Sequence, residues 1–351
     1  SQLCGIGNRS VRPGVNDRVT GLRRYTVPMR RPTSLAFLAI LFSASALGAT
    51  PADPYAAARA EFRAAYATAG ALPAEGVIPS DSETLRSYPL YPYLQAARLQ
   101  RRLEDPAAAP TIEAYLAEHG NAPVARSVRR SWLMSLAQRK AWEPYLAAYR
   151  EDVDDSAAAR CNWLTARVAV GRTDGLADQV TATYLTGKSL PAACDPAFDW
   201  LRAQGLLTPA LIERRARLAL TAGEAGLARF LARSLPESQA GPINQWAALI
   251  EQPRTAIESL IANPDRPVET EALLDGWRRF SRADAEAAAA FYPTLVQARG
   301  LDARNASPFA LATAQALSWS RLPRSLEFFA LGHPDDFDER AHEWHVRAAL
   351  W

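Results

Sequence analysis

The chain has 351 residues, 48% of them hydrophobic and 22% charged, with 40 basic against 37 acidic side chains. That composition excludes a disordered or collagen-like chain and supplies enough apolar mass for a substantial core. Lys140 and Lys188 are the sole lysines, so arginine provides the other 38 cations; they are spread beside acids along the whole chain, without the basic block or aromatic-basic motif of a nucleic-acid surface.

Residues 1–28 lack an initiating methionine and any useful periodicity, and read as a spurious upstream segment that includes Cys4. Residues 29–49, from Met29 to Ala49, have the layout of a secretory signal peptide. Arg30 and Arg31 make a basic start, Leu35 to Phe42 an apolar run, and small residues follow. The apolar run is shorter than the ~20 residues of a membrane span. Cleavage is expected after Ala46, which closes an A-x-A pattern, or after Ala49, and no lipid-accepting cysteine stands at that junction. Removing residues 1–49 takes away seven arginines and one acid, leaving 33 positive charges against 36 negative. The exported chain is therefore expected to be soluble and mildly acidic.

From residue 50 onward the pattern is helical, without alternating β-branched runs punctuated by hairpin turns. In YPLYPYLQAARLQRRLEDP, Tyr88 to Pro106, prolines bias the residues before them away from the α region. A helix is predicted to start at Pro92, to bury Pro92, Ala96, Leu99 and Leu103 on one face, and to stop at Pro106. Further along, Cys161 and Cys194 remain as a pair once Cys4 is set aside, and an oxidising compartment favours a disulfide between them. Closing that loop is worth roughly 3 to 4 kcal/mol. The alternative is two unpaired buried thiols; a metal site lacks the C-x-x-C neighbour or nearby histidine it needs.

Internal similarity follows. LIERRARLALTAGEAGLARFLARSLP, Leu211 to Pro236, reads as a helix capped at Thr208 and Pro209, a break at Gly223, and a second helix. Leu211, Leu218, Ala219 and Leu220 are predicted to face Leu227, Phe230 and Leu231 across the break. Arg167 to Pro191 has similar breaks and the same SLP ending, and Glu343 to Leu350 echoes Glu213 to Leu220. Asn263 to Thr270 is a proline-rich loop. Ser281 to Leu301 is a helix with Ala285, Ala288, Ala289, Tyr292, Leu295 and Val296 on one face and Pro293 placed to interrupt it. The last segment leaves Val346, Leu350 and Trp351 without a next neighbour or a capping unit. The expected fold is all-α, an α-solenoid or superhelix of stacked helical hairpins over residues 50–351, truncated at its C-terminal end.

SYPLYPYLQAARL, RCNWLTARVAVGRTD, YLTGKSLPAACDPAFDWLRAQG and LIERRARLALTAGEAGLARFLARSLP, in that order, resemble the amino-terminal superhelical region of the soluble lytic murein transglycosylases. The resemblance runs from about Tyr55 to Trp351, and YPLYPYL and LTGKS followed by the second cysteine are its most discriminating pieces. It implies a periplasmic protein, peptidoglycan glycan strands as partner, and a lysozyme-like catalytic domain in cis that is missing here. The family's reaction breaks the β-1,4 bond between N-acetylmuramic acid and N-acetylglucosamine and forms a 1,6-anhydro sugar, with one glutamate acting as acid and then base.

That glutamate precedes a serine and is followed by G-L-M-Q and A-Y-N segments, none of which is present here. Glu237-Ser238 and Glu258-Ser259 match only the dipeptide, so no catalytic residue is assigned and the chain alone is expected to be inactive. His342 and His345 with Glu339 and Glu343 have helical spacing but not the H-E-x-x-H order of a zinc helix. No cofactor, metal or nucleic-acid partner is expected, and no membrane span after signal cleavage. The alternative function is a stand-alone periplasmic α-solenoid scaffold that binds proteins.

Overall fold

The computed structural model describes residues 53–71, 80–120 and 122–351. The upstream segment with Cys4 and the expected signal peptide lie outside the described residues. Pro54 to Trp351 forms one compact unit, and its described residues contain helices and no strands. The fold is all-α, an α-solenoid of stacked helical hairpins.

In chain order the helices are α1 Ala56–Ala69, α2 Glu83–Arg86, α3 Tyr91–Leu99, α4 Ala109–His119, α5 Pro123–Gln138 and α6 Trp142–Ala148. Then come α7 Ala157–Ala169, α8 Leu176–Tyr184, α9 Asp195–Ala203, α10 Pro209–Thr221, α11 Ala225–Ala232 and α12 Glu237–Glu251. The last six are α13 Pro253–Ala262, α14 Thr270–Ala283, α15 Ala285–Ala298, α16 Ala303–Trp319, α17 Ser325–Phe329 and α18 Glu339–Leu350. Their starts follow local chemistry. Ser82, Ser156, Thr208, Asp284, Asp302 and Asp338 each accept a hydrogen bond from a backbone N–H in the first turn, satisfying a donor with no partner inside the helix. Between α10 and α11 the chain reverses at Gly223, whose φ of +81° is open to glycine and costly for other residues.

The apolar core is a succession of local packings, as stacked hairpins require. Leu85 and Leu94 pack beneath α1; Ile112, Val128, Trp132 and Tyr145 fill the next layer; and a long seam runs from Cys161 to Phe309. Phe328, Phe329 and Leu317 close the series. Trp163 and Tyr292 each touch two of these packings, joining the last three to one another. Trp277 is fully buried, donates its indole N–H to the Phe309 carbonyl and to Thr313 Oγ1 at 3.0 Å each, and ties α14 to α16.

Three local expectations need correction. The helix begun near Pro92 ends at Leu99 and does not reach Pro106. Beyond Leu99 the chain closes single turns instead, Arg102 N–H donating to the Leu99 carbonyl at 2.9 Å and Asp105 N–H to that of Arg102 at 3.1 Å, while the Leu103 carbonyl accepts from the Ser135 hydroxyl at 2.9 Å and the Glu104 carbonyl from Arg139 at 2.8 Å. Pro293 does not interrupt α15, which runs through it; its exposed ring removes one backbone bond while the buried Leu295 face holds the helix in place. Finally, Leu218 and Phe230 do not lie in the α10–α11 seam. Ala216, Ala219, Leu220, Ala228 and Leu231 fill it, and Phe230 points outward under the Arg233 guanidinium.

Candidate functional site

The two most discriminating sequence motifs turn out to be joints of the scaffold. In YPLYPYL, Tyr88 is buried against Phe62 at 5.3 Å between ring centroids. The Tyr91 hydroxyl donates to Asp81 at 2.8 Å, and Arg98, two turns on, forks onto both oxygens of the same carboxylate at 2.6 and 3.0 Å. These bonds, with Arg98's foremost, hold the Asp81 carboxyl below its ordinary range. The Pro92 carbonyl accepts from the Tyr115 hydroxyl at 3.0 Å, fixing α3 to α4. The motif therefore organises the entrance to the stack and contains no group poised to transfer a proton.

LTGKS and the cysteines make a second joint. Gly187 lies against α10 so closely that a Cβ there would sit 2.9 Å from the Ala222 Cβ, so only glycine permits the approach. Cys161 of α7 and Cys194 are disulfide-bonded and fully buried, spanning 33 residues. Beside them the Thr165 hydroxyl donates to the Ala193 carbonyl at 3.2 Å.

The glutamates singled out by sequence make neither of these sets of contacts. Glu237 is exposed in the first turn of α12, where a carboxylate complements the helix dipole. Glu258 of α13 accepts from Arg254 Nε at 2.9 Å, an ordinary i,i+4 pair. On α18, His345 stacks on Phe329 at 4.7 Å, His342 lies 5.3 Å from Phe337, and Glu343 accepts from Arg347. They do not converge, and among the described residues no group of three or more His, Cys, Asp or Glu side chains could hold a metal ion.

A polar cleft of about 330 Å³ opens between α5 and α7. Its floor is the Arg129–Asp154 pair, a two-nitrogen fork at 2.9 to 3.1 Å in which Arg129 also reaches the Ala148 carbonyl. Fully buried Tyr145 donates to the Ala159 carbonyl at 2.8 Å, and burial pushes its phenol up. Arg126, Arg130 and Asp155 are exposed in the same cleft. Its three arginines and three aspartates balance, so it can hold opposite charges side by side but has no nucleophile beside a base. Sequence gave little warning of it, because Arg126 and Arg130 have the spacing of any solvated helix face.

The carboxyls with shifted values all move down. Arg98 lowers Asp81, Arg102 lowers Asp105, Arg150 lowers Asp152 and Arg217 lowers Glu269, each through a side-chain hydrogen bond. A general acid working near neutrality needs the opposite shift. Among the described residues no helix is long and apolar enough to cross a membrane.

No protein-family model matches the chain. It is 29% identical over 218 residues to a soluble lytic murein transglycosylase of Escherichia coli K12, covering 62% of this chain and 34% of that protein. The protein of the same name from Salmonella typhimurium is 30% identical over 219 residues, again 62% and 34%. The chain thus spans about a third of the length of the curated relatives it matches. In three dimensions it resembles an inactive mutant of the lytic transglycosylase Slt from Pseudomonas aeruginosa, with a TM-score of 0.60 and 26% identity over 82% of this chain and 46% of that one. With the ordered motifs, the all-α stack and these alignments agreeing, this chain is a relative of the soluble lytic murein transglycosylases.

Proposed function

We propose that this chain is the non-catalytic superhelical region of a periplasmic lytic murein transglycosylase, which shapes access to peptidoglycan strands for a lysozyme-like catalytic domain carried in cis. In this reading the whole enzyme cleaves the MurNAc–GlcNAc β-1,4 bond with formation of a 1,6-anhydro sugar, one glutamate serving as acid and then base. The observation that carries it is the match of 218 residues at 29% identity to a soluble lytic murein transglycosylase, in a chain whose shifted carboxyls all move away from acid catalysis. Met29 to Ala49 acts as the export signal, and an oxidising compartment keeps Cys161 and Cys194 joined.

The test uses the purified chain and isolated murein. Expected are co-sedimentation with murein and no 1,6-anhydro-muropeptide in the supernatant by mass spectrometry. Anhydro product released by this chain alone would overturn the assignment of a non-catalytic role. Sequencing the exported protein checks localisation: its first residue is expected to be Leu47 or Thr50, in the periplasmic fraction.

A further inference from the structure

The cleft between α5 and α7 carries uncommitted charge of both signs, and that combination selects a ligand class. Several of its ionised groups are already spoken for. On the floor Asp154 is saturated: beyond the Arg129 fork it accepts the Arg150 backbone N–H at 2.8 Å. The exposed Asp152 accepts from the Arg150 guanidinium at 2.9 Å. Arg126 and Arg130, one turn apart on α5, and Asp155, just before α7, also line the cleft and have no hydrogen-bond or ion-pair partner among the described residues. We propose that this cleft binds an amino-acid zwitterion, free or as a short peptide with both ends unblocked, its carboxylate on Arg126 and Arg130 and its ammonium on Asp155. The site involves no glycan and stands apart from the murein reading.

Charge of a single sign fits the cleft poorly. An anion would meet the two free guanidiniums but bring like charge up to Asp155, and a cation would satisfy Asp155 while facing both guanidiniums. A molecule that carries both charges a few bonds apart meets each with its opposite. The guanidinium fork matches the two oxygens of a carboxylate, and a carboxylate accepts from the rotatable donors of an ammonium. The volume of about 330 Å³ lies at the lower end of small-ligand sites, a size for a single amino acid or a short peptide.

The rest of the lining suits such a ligand. Met134, one turn beyond Arg130 on the same face of α5, is exposed and, with Leu133 and Val153, offers the ligand's side chain an adaptable apolar contact. Across from it Ala158 and Ala159 put no bulk into the opening. The floor is fixed. Tyr145 is fully buried and bonded to the Ala159 carbonyl, while Arg129 ties α5 to the chain before α7 through Asp154. The free groups on the two walls are therefore held in place before a ligand arrives, which lowers the ordering cost of binding.

Calorimetric titration of the purified chain tests the site with alanine and alanyl-alanine, each also as its N-acetyl and its amide derivative. Whichever parent binds tighter shows whether the ligand is a free amino acid or a peptide. That parent is expected to bind at least about tenfold tighter than either derivative, because each derivative lacks one charge-assisted bond. Arg126→Gln with Arg130→Gln is expected to weaken the parent about tenfold and to erase its advantage over the amide, leaving its advantage over the acetyl form. Asp155→Asn is expected to do the reverse. All three side chains are exposed and unpaired, so these variants are expected to fold, which far-UV circular dichroism checks. Equal binding of parents and derivatives by the wild type overturns the inference without recourse to any variant. So does a Kd above about 1 mM for both parents, or an advantage that survives unchanged in the folded variants.

Discussion

Two buried arginines show how differently one side chain can be accommodated. Arg98 and Asp81 are each more than nine-tenths buried and share a two-point fork. Arg215 is equally buried but has no carboxylate; its guanidinium lies 4.3 Å over the Tyr184 ring and 5.6 Å from that of Phe198, and its Nε has no acceptor. Removing one half of a buried pair strands the other charge, so Arg98→Ala is expected to cost about 3–5 kcal/mol in urea unfolding, and Arg98→Met with Asp81→Leu to recover most of it. For Arg215→Met the expectation reverses, because a desolvated cation without a carboxylate partner is replaced by an apolar chain of similar reach. Its unfolding midpoint is expected to equal or exceed that of the wild type. The Asp81 contribution also has a pH sign. Arg98 depresses the folded pKa, so the stabilisation is complete above the ordinary value of 3.8 and is lost as pH falls through the depressed one.

At the scale of elements, helix spacing depends on where a side chain is missing. Gly276 of α14 faces Leu249 of α12, and a Cβ on it would lie 2.6 Å from Leu249 Cδ2 and 2.9 Å from its Cβ. Gly276→Ala is therefore expected to destabilise by about 1–3 kcal/mol despite the better helix propensity of alanine. Thermal melting of the variant measures it, and Leu249→Ala in the same chain is expected to relieve the part of the clash made by Cδ2 and to leave the part made by Cβ. The disulfide acts on the unfolded chain instead. Replacing Cys161 and Cys194 together by alanine is expected to cost roughly 3 to 4 kcal/mol through the reopened loop. Wild-type protein, unfolded without reductant, is expected to offer neither thiol to an alkylating reagent; labelling of both would refute the bond.

Across the whole molecule, buried tyrosines recur at successive levels of the stack. Burial raises the phenols of Tyr115, Tyr145, Tyr149, Tyr184 and Tyr292, that of Tyr115 to about 12. A raised folded pKa means the unfolded chain releases these protons first. The stabilisation is then complete below pH 10, the ordinary value, and is lost as pH climbs towards 12. Melting temperatures are expected to be nearly level from pH 7 to 9 and to fall steeply above 10. Tyrosinate absorbance is expected to rise together with loss of helical circular dichroism; a rise that precedes unfolding by more than a pH unit would count against the coupling.

Much of the helical framework was legible because its causes are local. Thr208 with Pro209 announces α10, Gly223 its reversal, and the proline-rich stretch from Asn263 to Thr270 the gap before α14. The motifs of the candidate site were legible as strings but not as machinery. YPLYPYL gives no hint that Tyr91 and Arg98 meet on Asp81, because that depends on the fold of the chain before α3. Glu237 and Glu258 match a dipeptide alone, which carries no geometry.

The sequence by itself determined an all-helical chain, the positions of its main breaks and its kinship. Capping, proline stiffness and apolar periodicity act within a few residues and are written in order along the chain. The tertiary structure alone decided that α3 ends at Leu99, that Pro293 is tolerated, that Phe230 turns outward and that Arg215 is buried without an acid. It alone brought Arg126, Arg130 and Asp155 around one cleft, because which helix packs on which is settled by burial summed over distant residues, and no local pattern encodes that sum.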